Sequence, residues 1–291
     1  MTLFKKATKQ QARLRLAICG ASGTGKTYTA LNVGQFLGAN IALLDTEHGS
    51  ASKYADRFNF DVCELTDFSP SSYIMALREA ANADYDLIII DSLTHAWYWE
   101  LDAANSGKNS FTGWKEVRKL ERALVDEMLS YPGHLIATMR TKTEWILEEN
   151  ERGKQAPRRV GTAPIQASGI EYEFDLAGEL DYHHILTISK SRCSELANTE
   201  HLNPGENLAD RLLAWLDSGE PAEESPQNKA RRVMVAREAA GLTTNDVRRI
   251  LEAEFDGVST PAKLTSQEVD RLVLILSEFV TDPRPDPAMD G

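Results

Sequence analysis

A mostly parallel α/β sheet flanked by helices, followed by a small all-helical domain, is the fold class this sequence predicts. Three observations predict it. From Arg13 onward, short apolar runs alternate with helix-like stretches, the pattern left in a chain by parallel strands and crossover helices. The octet Gly20-Ala21-Ser22-Gly23-Thr24-Gly25-Lys26-Thr27 sits between one such run, residues 14–18, and a helical pattern that starts near Lys26. Beyond Leu216, the stretch 217–227 (DSGEPAEESPQ) has linker composition and precedes three amphipathic patterns.

Taken in order, residues 1–12 read as a polar N-terminal arm, and strands are expected at 15–19, 41–45, 61–65, 87–91 and 134–138. Helices fit 26–37, 71–83 and 114–130 between them. The polar stretch 148–167 holds Gly153, Pro157, Gly161 and Pro164 and is expected to be a loop. A structureless segment of that length inside a compact domain points to function. Residues 173–179 and 184–189 read as antiparallel strands turning at Asp181, and 208–216 as a helix that closes the region 13–216. After the linker, 228–240, 243–255 and 265–280 form a helical domain, 228–281, with cap signals at Thr244-Asn245-Asp246 and Thr265-Ser266-Gln267-Glu268. Residues 282–291, with three prolines, are expected to be a disordered tail.

The 291-residue chain is 42% hydrophobic and 26% charged, enough apolar material for a core. No run is long enough to cross a membrane, and the N-terminal lysines precede no apolar stretch, so neither membrane insertion nor secretion is expected. Cys19, Cys63 and Cys193 are odd in number and widely spaced, which suits a reducing, cytoplasmic setting better than disulfides or a zinc site. A net charge of −12 argues against a surface that is basic throughout, yet leaves room for a local basic groove.

The octet matches G-x-x-x-x-G-K-[ST], the phosphate-binding P-loop, in the strand–loop–helix context the motif needs. Glycines let successive N–H groups face one point, and the helix adds its positive end. Lys26 is expected to reach the β- and γ-phosphates of a nucleoside triphosphate, taken as ATP, and Thr27 to offer its hydroxyl to Mg²⁺. The nucleotide-binding residues are then Gly20, Ala21, Ser22, Gly23, Thr24, Gly25, Lys26, Thr27 and Tyr28. The apolar strand 87–91 ends in Asp91, the shape of a Walker B element, expected to share the Mg²⁺ with Thr27. A second acidic strand tip, Asp45-Thr46-Glu47-His48, offers Glu47 as the carboxylate that orients and partly deprotonates the attacking water.

D-x-E-H on the strand after the P-loop, followed by a Walker B strand ending Ile90-Asp91-Ser92, resembles the RecA core. The resemblance implies that Glu47 activates water and that Thr138, where bacterial recombinases carry glutamine, stands beside the γ-phosphate. Ser189-Lys190-Ser191-Arg192 is similar to the K-x-R ending of RecA-type hexameric helicases. That likeness implies that Lys190 and Arg192 reach a neighbouring subunit's γ-phosphate, and hence a homo-oligomeric ring or filament. Phe4-Lys5-Lys6-Ala7 fits the F-x-x-A protomer-linking pattern of eukaryotic and archaeal recombinases, and fits a frayed terminus as well.

Arg140-Thr141-Lys142-Thr143-Glu144-Trp145, Tyr172-Glu173-Phe174-Asp175 and the Ser189–Arg192 element together resemble phage-encoded RecA-core ATPases, over about residues 13–195. Some of these are single-strand annealing recombination proteins, so single-stranded DNA is the implied partner. Two segments lie where RecA-like proteins carry DNA-binding loops: 94–114, with Trp97, Trp99 and Trp114, and 142–168, with Lys142, Trp145, Lys154, Arg158 and Arg159. Aromatic rings stack on bases and cations follow phosphates, although Glu144, Glu148, Glu149 and Glu151 dilute the second segment. The expected function is a Mg²⁺-dependent ATPase acting on single-stranded DNA in the cytoplasm of a bacterial host. A nucleotide-gated assembly protein with no DNA role, and a translocating helicase, are the alternatives.

Overall fold

The computed structural model describes residues 6–105, 110–149, 155–220, 226–255 and 257–279. They fall into two compact units, Met1–Gly219 and Glu220–Gly291. In the first, β1 (Arg15–Gly20) leads through the glycine-rich loop into α1 (Lys26–Gly34). There follow β2 (Ile41–Asp45), β3 (Asp61–Glu64), α2 (Pro70–Asn82), β4 (Leu87–Asp91), α3 (Thr94–Asn105) and α4 (Ser110–Ser130). β5 (His134–Glu149), β6 (Gln155–Pro164), β7 (Leu176–Leu180), β8 (Ile185–Ser191), β9 (Glu200–Leu202) and α5 (Glu206–Asp217) complete the unit.

The strands form one sheet in the order β3-β2-β4-β5-β1-β7-β8-β9, with β6 paired to β5 off this path. The run from β3 to β7 is parallel, whereas β6, β8 and β9 are antiparallel to their neighbours. Leu16, Ile18, Leu43, Leu87, Ile89 and Ile136 pack on one face with Leu31 of α1 and Leu208 and Leu212 of α5. Ala17, Leu44, Ile88, Ile90 and Leu135 pack on the other with Tyr73 and Leu77 of α2 and Leu124 and Met128 of α4. Burial on both faces explains why these strands read as unbroken apolar runs rather than alternating ones.

Two expectations are corrected. The stretch 148–167 is largely strand, not loop: β5 extends out of the sheet core to Glu149 and pairs with β6 as a hairpin, Trp145 opposite Arg159, with an irregularity between Glu144 and Trp145. Pairing satisfies the backbone groups of the segment, and Pro157 and Pro164 are tolerated because β6 pairs only with β5 among the described residues. The segment after Asp91 is helix α3. Ala96, Glu100 and Ala104 are buried at four-residue spacing, so residues 94–105 are helix where the resemblance places a loop.

Residues 9–12 lie against the end of α5: Ala12 N–H donates to the Leu216 carbonyl at 3.2 Å, and the Lys9 ammonium sits 5.6 Å from the Trp215 ring centre. Phe4 and Lys5 are outside the described residues, as is the tail 282–291. The second unit comprises α6 (Pro226–Ala239), α7 (Thr244–Glu254) and α8 (Ser266–Glu278) around Val233, Val247, Leu251, Phe255, Leu272 and Leu276. Capping boxes, Thr243 with Asp246 and Thr265 with Glu268, start α7 and α8. Its Arg232, Arg248 and Arg271 pair with Asp270, Glu252 and Glu254. Among the described residues, no helix is long and apolar enough to cross a membrane.

Candidate nucleotide site

The loop between β1 and α1 has its shape set by glycine. Gly23 and Gly25 have φ of 82° and 92°, the left-handed region that favours a residue without Cβ. A Cβ on Gly20 would fall 2.7 Å from Thr24 Oγ1 and 2.8 Å from the Leu180 carbonyl oxygen. No side chain caps the N-terminus of α1, so its first N–H groups remain for the loop and a ligand. Thr24 Oγ1 and Lys26 Nζ donate to the Ala21 carbonyl, at 3.0 and 2.9 Å, closing the loop on itself. Lys26 is buried; desolvation lowers its pKa, while Asp91 and Glu47 act in the opposite sense.

Side chains from α1 and from the ends of β2, β4 and β5 meet over this loop. Thr27 Oγ1 donates to Asp91 Oδ2 at 2.6 Å, and Thr138 Oγ1, at the tip of the sheet portion of β5, donates to Asp91 Oδ1. Burial pushes the 1%-exposed Asp91 carboxyl above the usual carboxylate range, against the lowering effect of those two hydroxyls. Asp45 is Asp91's register partner on β2. It accepts from the backbone N–H of Glu47 (2.6 Å) and of Ala51 (3.0 Å), so it builds the turn that carries Glu47. Glu47 Oε1 in turn accepts from Arg140 Nε at 3.0 Å and Nη2 at 2.8 Å. Among the described residues, no group of three or more His, Cys, Asp or Glu is placed to hold a metal alone. One carboxylate and one hydroxyl, both hard oxygen donors, suit Mg²⁺, which completes its shell with phosphate oxygens and water.

A family model, AAA_24, described as an AAA domain, matches residues 12–203. The chain belongs to this AAA domain family. Membership indicates a P-loop ATPase of the AAA type, and with it nucleotide binding and hydrolysis. No curated protein matches the chain.

Other residues expected at the site fall elsewhere in the AAA domain. The ring of Tyr28 packs edge-on against Tyr54 and Phe58, with centroids 5.9 and 5.3 Å away. Lys190 and Arg192 lie at the opposite end of the sheet, because β8 runs antiparallel and Lys190 pairs with Ala177, near the start of β7. There the Lys190 ammonium donates to the Phe174 carbonyl, and Arg192 Nη1 pairs with Asp175 at 3.0 Å. Lys142 is exposed on β5, and Trp145, Arg158 and Arg159 are on the hairpin strands, while Lys154 lies outside the described residues. A cleft of about 790 Å³ elsewhere in the domain is lined by Trp97, Trp114, Arg118, Arg122, Glu121 and Asp126, among others. Its two indoles have centroids 6.1 Å apart.

Three contacts lie beyond the sequence reading. Asp45 shapes the Glu47 turn. His184, with φ of 59° in the β7–β8 turn, brings Nδ1 within 2.9 Å of the Thr24 carbonyl oxygen and so braces the P-loop. Arg140 meets Glu47 across 93 positions of sequence, and no motif spacing signals that encounter.

Proposed function

We propose that this AAA-type ATPase is a Mg²⁺-dependent, RecA-like enzyme of the phage-encoded kind. In this reading it assembles as a ring or filament and acts on single-stranded DNA in recombination, annealing or replication. Residues 13–216 are its ATPase core and 228–281 an accessory helical domain. The observation that carries the reading is the convergence of Lys26, Thr27, Asp91, Thr138 and Glu47 over the carboxyl ends of four neighbouring strands.

Lys26 binds the β- and γ-phosphate oxygens. Thr27 and Asp91 would hold Mg²⁺, which when bound neutralises phosphate charge. Glu47 orients the attacking water and takes its proton, and Thr138, anchored on Asp91, stands beside the γ-phosphate. The distance of Lys190 and Arg192 from their own P-loop supports service to a neighbouring subunit. β5 runs without a break from Thr138 into the hairpin bearing Lys142, Trp145, Arg158 and Arg159. That continuity supports coupling between nucleotide and strand, and the Trp97–Trp114 cleft adds stacking surface.

The net charge of −12 and the glutamates Glu144, Glu148 and Glu149 of the hairpin favour a second reading, nucleotide-gated assembly without DNA. ATP turnover with and without single-stranded DNA across a salt series, with particle size measured in parallel, separates the two. The first expects stimulated turnover and salt-sensitive binding. Absence of both, with ATP-dependent assembly intact, gives the second.

A further inference from the structure

The contact between Glu47 and Arg140 has no part in the chemistry described so far. Arg140 directs two N–H donors at the same carboxylate oxygen, Oε1. The side chains are 37% and 29% exposed, so solvent screens the pair and its charge attraction alone is worth little. Its geometry is better defined than its energy, because the main chain is fixed on both sides. The Arg140 N–H donates to Thr94 Oγ1 at 3.0 Å, its carbonyl accepts from the Ile165 N–H at 2.7 Å, and it stands beside Gly20 in register. Arg140 is therefore tied to the start of α3, to the segment just past β6 and to the first P-loop residue. The Glu47 N–H is fixed in turn by Asp45 at 2.6 Å.

We propose that Arg140 is a positioning residue for hydrolysis. Its rigid planar fork engages Oε1 and leaves Oε2 as the one oxygen that meets the water, in a fixed place. The proposal rests on the reading of Glu47 as the hydrolytic carboxylate.

Steady-state ATP turnover and calorimetric ATP and ADP affinity are measured for the full chain and for Arg140→Ala, Arg140→Lys, Glu47→Gln and the Arg140→Ala/Glu47→Gln double variant. Retained ADP affinity shows that each variant is folded. Arg140→Ala should lower kcat about ten- to a hundredfold with KM and ATP affinity changed less than about twofold. Arg140→Lys should recover part of kcat, since one ammonium replaces the fork. In the Glu47→Gln background, Arg140→Ala should cost little more. Unchanged kcat in Arg140→Ala, a loss carried by KM, or fully additive losses in the double variant would overturn the proposal. If Glu47→Gln is inactive while Arg140→Ala is normal, this proposal alone falls. If Glu47→Gln turns over like the parent chain, the reading of Glu47 falls with it.

Discussion

β1 and β5 carry polar groups at both ends, and the two ends treat them differently. At the amino end, Arg15 is 6% exposed, and its guanidinium donates to the carbonyls of Leu14, Gly133, Leu129 and Tyr131. Beside it, His134 Nδ1 accepts from the Leu14 N–H at 3.1 Å, and Asp175 accepts from the Arg15 N–H. At the carboxyl end, Thr27, Asp91, Thr138, Glu47 and Arg140 bond to one another's side chains. The first set ties one guanidinium to main-chain carbonyls at the end of α4 and in the turn before β5, so it is fixed structure. Side-chain pairs can exchange one partner for a phosphate oxygen or a metal, so the second set is available for chemistry. Buried polarity by itself does not mark a site.

The largest effects test that division directly. Lys26→Ala should lower ATP affinity and turnover by at least about a hundredfold, since a charge-assisted phosphate contact is lost. Its melting temperature should barely move, because the side chain has a single 2.9 Å bond to a loop carbonyl. Calorimetry and thermal unfolding of the same sample check both halves. Arg15→Met should do the reverse. Several carbonyls lose their donor, so unfolding in urea should show a loss of about 3–5 kcal/mol, with ATP affinity of the folded fraction unchanged. Loss of ATP affinity at constant stability in Arg15→Met would remove the distinction between the two ends.

How far the sequence reveals this depends on the range of each contact. The P-loop is legible because eight contiguous residues set their own backbone path. Asp91 and Glu47 are legible because each closes or follows an apolar run, and parallel strands deliver such tips to one edge. Thr138 needs a family resemblance, because nothing local says that its hydroxyl meets Asp91. Arg140 and His184 are invisible, as their partners lie 93 and 160 positions away and only the sheet register unites them. The hairpin is masked by its own glycines and prolines, which signal loops locally, whereas pairing along β5 decides the outcome. In α3 the resemblance misdirects towards a loop, whereas a helical period buries Ala96, Glu100 and Ala104.

The amino end also predicts a response to acid. Burial, followed by the charges of Arg13 and Arg15, lowers the pKa of His134 from 6.5 to about 4. Above pH 6.5 the imidazole is neutral whether the chain is folded or not, and it contributes no pH dependence. Between 6.5 and about 4 the unfolded chain takes up a proton that the folded chain refuses, so stability falls as pH falls. The loss at pH 5 should be about 2 kcal/mol. Glu100 acts in the opposite sense: burial, then Glu121, raises it to about 8, so its contribution declines as pH rises from 4.5. The informative quantity is therefore the difference between the parent chain and His134→Asn, in urea unfolding at pH 7.5 and 5. The variant should lose less stability on acidification. Equal losses would mean that His134 takes up its proton as readily folded as unfolded.

The smallest signal bears on Arg192, where the two ends of the sheet make competing claims. In this chain its guanidinium is engaged with Asp175 at 3.0 Å and with the Tyr172 carbonyl at 3.3 Å, the pattern of a structural residue. A role at a neighbour's γ-phosphate requires it to leave Asp175, which keeps the Arg15 N–H as a partner. Mixing Arg192→Ala subunits with Glu47→Gln subunits decides between these claims. In a head-to-tail assembly, a junction is intact when an Arg192→Ala subunit supplies Glu47 and a Glu47→Gln neighbour supplies Arg192. Random mixing in equal amounts makes about a quarter of junctions intact, so turnover should rise towards about a quarter of the parent value, from two parents that are each nearly inactive. If Arg192 is structural, Arg192→Ala should instead lose stability like a milder Arg15→Met, and no mixing ratio should restore turnover.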